Sequence, residues 1–156
     1  MNRRARGGPS LPLRAAIADN RPMRRAFLLL PVIGLLASCA TPPPPPVTTP
    51  SGLVYRSLRE GSGRSPAPTD TVRVHYRGML ADGREFDSSY ARNEPAEFPL
   101  DRVIKCWTEG VQMMKPGGKA RLVCPPAIAY GERGAGNGVV PPNATLLFEV
   151  ELLGIR

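Results

Sequence analysis

The side chains that usually carry covalent, acid–base or metal chemistry are scarce in this sequence, and their spacing excludes most of it. His75 is the one histidine, so a metal site of several imidazoles is excluded, and its place on the polar face of an alternating segment predicts a solvated ring. No glycine-rich phosphate loop precedes a helix, and no serine sits in a nucleophile elbow. Cys106 and Cys124 are not at metal-ligand spacing. The sequence therefore calls for neither a metal nor a cofactor. What remains is a scatter of aromatic residues, several with acidic neighbours such as Asp87 after Phe86. Taken singly, Trp107 and Phe148 read as core, Asp87 as a turn or cap residue after a strand, and Tyr130 as a half-buried tyrosine.

The elements that must position these residues are mostly strands. Val72, Val74 and Tyr76 alternate with Thr71, Arg73 and His75, giving one apolar and one wet face. Asp82-Gly83 is a hairpin signal between Met79-Leu80 and Glu85-Phe86. Ala120, Leu122 and Cys124 alternate with Lys119, Arg121 and Val123. The last strand is the clearest, with Leu146, Phe148, Val150 and Leu152 on one face. Trp107, Val111 and Met114 recur at helical spacing between Ile104 and Lys115, and Pro116-Gly117-Gly118 ends that helix. The glycine- and proline-rich stretch 131–142 reads as a long loop, a common location for function. The fold class expected is α+β, a curved antiparallel β-sheet wrapped on one short α-helix.

Charge and composition divide the 156 residues into three parts. Residues 1–38 carry seven of the 21 basic residues against a single acid, Asp19, so most of the net charge of +8 belongs there. The remainder is close to balanced, which leaves no nucleic-acid footprint. Arg24-Arg25 precede a short apolar run, the pattern of a signal peptide, so 1–38 is expected to be a leader, with Met23 a candidate for the true start. The string Leu36-Ala37-Ser38-Cys39 resembles a bacterial lipobox, which implies lipidation of Cys39. Arg24-Arg25 also resembles a twin-arginine signal; general secretion is the default expectation. Residues 39–50 include Pro42 to Pro46, which hold an extended polyproline spacer. Residues 51–156 are enough for one core. After export, Cys106 and Cys124 would meet an oxidising compartment, as a disulfide or as two buried thiols.

The strings VHYRGML (74–80), DGREFDSS (82–89), VIKCWTEG (103–110), AYG (129–131) and VVPPNATLLFEVELL (139–153) together resemble the FKBP-type peptidyl-prolyl cis-trans isomerases over the whole domain. By that resemblance Trp107 is the floor of a proline-ring pocket, with Tyr76, Phe86, Phe98 and Phe148 as its aromatic walls. Val103 and Ile104 match the lip, where the Ile104 N–H would bind a ligand carbonyl. Tyr130 matches a hydroxyl that bonds another carbonyl, and Asp87 the carboxylate facing the twisted amide. Arg92 would orient Asp87, and Val139 and Val140 would overhang the site. The chain departs from the family pattern at Ala96, where a further aromatic is common, and in the glycine-rich segment 134–138.

The resemblance implies an isomerase acting on X-Pro bonds of exported or envelope proteins, with macrolide inhibitors as potential ligands. The competing class is a non-catalytic chaperone that holds proline-containing segments. A lipid-anchored monomer at the outer membrane, facing the periplasm, is the expected setting. No room for a helical dimerisation domain is seen in 39–51.

Overall fold

The computed structural model describes residues 44–156; the leader, Met23, Cys39 and the first residues of the proline run lie outside the described residues. Seven antiparallel strands form one sheet. They are β1 (Val47–Thr48), β2 (Val54–Arg59), β3 (Thr71–Leu80), β4 (Glu85–Ser88), β5 (Ala96–Pro99), β6 (Lys119–Cys124) and β7 (Leu146–Ile155). Their order is β1-β2-β6-β7-β3-β4, with β5 also paired to β3. The helix α1 (Lys105–Gln112) is the single α-helix among the described residues. The α+β arrangement expected from the sequence is the one that forms.

Alternation explains the long strands. Along β3, Val72, Val74, Tyr76, Gly78 and Leu80 are buried while the intervening residues are not, because a period of two sends every second side chain to the core. Along β7 the buried set is Leu146, Phe148, Val150 and Leu152. These two strands form the longest pairing in the sheet, from Val72 opposite Ile155 to Leu80 opposite Leu146. The core they share with α1 contains Trp107, Val111 and Met114, all at or below 4 % exposure.

α1 stops earlier than the periodicity suggests, at Gln112, and Met114 reaches the core from just beyond it. The helix approaches β6 closely because Gly110 has no side chain: a Cβ there would stand 2.8 Å from Leu122 Cδ2. Cys106 on α1 and Cys124 at the end of β6 are joined as a disulfide, with Cα atoms 5.7 Å apart and both side chains fully buried. That separation is within the range a bridge requires.

The end of the expected spacer is part of the sheet. Val47 and Thr48 pair with Tyr55 and Val54, and the Ser51 hydroxyl donates to Glu109 Oε2 at 2.5 Å. His75 also differs from the solvated ring expected. It is half-buried, its Nδ1 lies 3.0 Å from Ser89 Oγ, and it stacks on Tyr90 at 4.8 Å. The stretch 131–142 is more ordered than a plain loop. It forms short 3-10 turns at Gly131–Arg133 and Gly136–Gly138 and closes on itself through a bridge between Ala135 and Val140.

Candidate functional site

A cleft of about 310 Å³ opens between α1, the β3–β4 hairpin and the segment before the helix. It is lined by Tyr76, Phe86, Asp87, Phe98, Arg102, Val103, Ile104, Trp107, Tyr130 and Phe148. Its volume is at the small end of ligand pockets, enough for a proline-sized ring and part of the chain on either side.

Trp107 sits at its centre because it falls in the first turn of α1, facing the sheet. Its indole meets Tyr76, Phe98 and Phe148 edge to face, with centroids 5.3, 5.5 and 5.5 Å away. Phe86 from β4 packs edge to face on Phe148 at 5.7 Å. Such pairs add to the burial of each ring and fix its orientation. Gly78 makes room for the last pair: a Cβ at that position would stand 2.7 Å from Phe86 Cζ and 2.9 Å from Phe148 Cε1. Sequence reasoning did not single out Gly78, although its place in a buried alternating strand was a signal.

The polar groups converge on Asp87. Its Oδ1 accepts from Arg92 Nη1 at 2.6 Å, and its Oδ2 accepts from the Tyr76 hydroxyl. Arg92 Nη2 also reaches the Tyr76 oxygen at 3.1 Å, with the guanidinium 5.8 Å from the Tyr76 ring centre. Partial burial pushes the Asp87 carboxyl up, but the Tyr76 and Arg92 hydrogen bonds and the Arg92 charge outweigh it and hold the group below the usual carboxylate range. The Tyr76 phenol moves the other way, raised by burial and by its bond to Asp87. Tyr130, raised by burial and by the Asp87 charge, is 39 % exposed. Among the described residues nothing hydrogen-bonds its hydroxyl, which leaves it available to a ligand.

The lip is formed by Val103 and Ile104. Ile104 caps the start of α1 with extended backbone, its carbonyl accepting from the Trp107 and Thr108 N–H groups at 2.9 and 3.1 Å. Its own N–H has no acceptor among the described residues. A donor at the mouth of an apolar cleft is suited to a carbonyl of a bound chain.

Nine of the expected residues thus line the cleft. Arg92 stands behind Asp87. Val139 and Val140 do not join the lining. Val139 is half exposed, and the Ala135 bridge turns Val140 into the core at 3 % exposure. Arg102, at the end of the turn Leu100–Arg102, belongs to the lining and was not anticipated. A charged residue in a short polar turn carries no periodic signal.

Comparison with known proteins follows the same outline. Residues 62–153 match the family model described as FKBP-type peptidyl-prolyl cis-trans isomerase. The chain is 53 % identical over 109 residues to a probable FKBP-type peptidyl-prolyl cis-trans isomerase of Haemophilus influenzae, covering 70 % of this chain and 45 % of that protein. It is 56 % identical over 108 residues to the FKBP-type 22 kDa peptidyl-prolyl cis-trans isomerase of Escherichia coli, covering 69 % and 52 %. The crystal structure of FkpA from Escherichia coli superposes with a TM-score of 0.68 at 50 % identity, covering 71 % of this chain and 51 % of that one. The chain spans about half the length of the curated relatives it matches.

Proposed function

Because the chain belongs to the FKBP-type peptidyl-prolyl cis-trans isomerase family, we propose that the Trp107 cleft isomerises peptide bonds preceding proline. The supporting observation is the combination of an aromatic cup with one fixed carboxylate on its wall. Rotation about an X-Pro bond costs about 18–20 kcal/mol because amide resonance must be broken, and it needs neither a proton transfer nor a covalent intermediate. A twisted amide is less dipolar than a planar one. An apolar cleft therefore favours it over the ground state.

In this reading the proline ring rests on Trp107 between Tyr76, Phe86, Phe98 and Phe148. The Ile104 N–H and the Tyr130 hydroxyl hold carbonyls on either side of proline. Asp87, kept ionised and oriented by Arg92 and Tyr76, faces the carbonyl carbon of the rotating amide. Val139 overhangs the rim. A macrolide inhibitor would compete for the same cup.

The test is refolding of a protein whose slow phase is limited by proline isomerisation. Catalytic amounts of the full chain should accelerate that phase, and Asp87→Ala should weaken the acceleration. Binding of unfolded protein without acceleration would instead identify a holding chaperone.

The proposed setting is the cell envelope, with the exported chain anchored through a lipidated Cys39, at the outer membrane and facing the periplasm. Support comes from the charged, apolar and small-residue order of 24–39 and from the proline run after it. Its substrates would be folding envelope proteins. Labelled fatty acid should enter the wild-type chain in cells and not Cys39→Ala. A monomer is the proposed state, and light scattering at twice the mass would refute it.

A further inference from the structure

We infer that Arg102 is a specificity-determining residue that favours substrates with an acidic side chain next to the proline. The inference rests on the isomerase reading and concerns which chains that site prefers. With the proline ring on Trp107, the flanking residues, whose Cα atoms lie about 3.8 Å away along the chain, reach the rim of the cleft. Arg102 is on that rim. It lines the cleft beside Val103 and Ile104, it is exposed, and among the described residues it makes no ion pair or hydrogen bond.

Its surroundings leave the lip cationic. α1 begins two residues after Val103, and its first turn carries neither an acidic residue nor a side-chain cap, so the positive end of the helix is not neutralised. Asp101 and Lys105, exposed neighbours of opposite charge, are both outside the lining and leave its balance unchanged. Asp87 is the one acid within it, and its charge is already shared by Arg92 and Tyr76. A substrate carboxylate at the lip would thus meet an uncommitted guanidinium, which binds carboxylates through paired N–H groups. A substrate lysine would meet repulsion.

The experiment compares peptides carrying Glu, Gln or Lys immediately before or after one proline, with cis–trans exchange followed by NMR so that no protease preference enters. For the full chain, kcat/KM should rank Glu over Gln over Lys in at least one series, with a Glu to Gln ratio of roughly two to five, as expected for a partly solvated ion pair. The ratio should shrink at 0.5 M salt, about where screening shortens to a few ångströms. It should approach one in Arg102→Gln and reverse in favour of Lys in Arg102→Glu. Equal rates for Glu and Gln in both series, or a ratio untouched by Arg102→Gln, would overturn the assignment while leaving the isomerase reading intact. Failure to turn over any peptide, Gln included, would overturn that reading and this inference with it.

Discussion

The Tyr76 hydroxyl donates to the Asp87 carboxylate while the Tyr76 ring packs edge to face on Trp107. One side chain therefore ties the only acid in the cleft lining to its floor. β3 presents Tyr76 inward and the hairpin brings Asp87 opposite Gly78, so strand register sets the orientation of the carboxylate.

Removing the charge should cost more than removing its brace. Asp87→Ala should lower kcat/KM by about tenfold or more, and Tyr76→Phe, which removes one brace and leaves the Arg92 bond to hold the carboxylate, by less. A coupled assay on one peptide measures both, with circular dichroism checking that the fold is retained.

The pH dependence has a fixed sign. The Asp87 carboxyl is held below the usual range, so activity should stay level from neutral pH to about 5 and decline only near and below the ordinary carboxylate value of about 4. The same depression stabilises the fold above the unfolded-state value and is lost as pH falls through the folded value. Glu149 and Glu151, lowered chiefly by hydrogen bonds from Arg121 and Arg59, act in the same direction. Urea midpoints at pH 7, 5 and 3 should fall in that order, most steeply over the last step.

The disulfide holds α1 to β6. Because Cys106 and Cys124 are fully buried, reductant should act slowly on the native protein and quickly on the unfolded one. Cys106→Ala with Cys124→Ala should lose about 2–4 kcal/mol. Reductant should lower the unfolding midpoint of the wild type and leave that of the double variant unchanged.

Gly78→Val should displace the rings of Phe86 and Phe148, which a Cβ would approach to within 3 Å. Overpacking of this kind costs about 1–3 kcal/mol. Activity should fall further than the stability loss accounts for, which KM and kcat measured well below the unfolding midpoint would show.

The parts legible in the sequence are those where one face is buried over many residues. β3, β6 and β7 alternate cleanly because their inner faces share one core, and Trp107 and Val111 share the inner face of α1, with Met114 joining them from just past its end. β1 is too short to show a period, and β2 carries a bulge between Ser57 and Arg59 that breaks its alternation. The environment of His75 depended on Ser89, fourteen residues away, which only the β3–β4 hairpin brings beside it. Val140 resembled a rim residue by motif, yet a local bridge to Ala135 buried it. Aromatic types and order revealed the cup. The brace on Asp87 and the cation at Arg102 needed the folded chain.

The most direct measurement of the central claim is exchange NMR on a short X-Pro peptide with catalytic amounts of the full chain. Uncatalysed exchange takes tens of seconds or longer, so cross-peaks between cis and trans signals should appear with the wild type and weaken strongly with Trp107→Leu. Absence of cross-peaks with a wild-type chain whose near-ultraviolet spectrum shows an ordered Trp107 would contradict it.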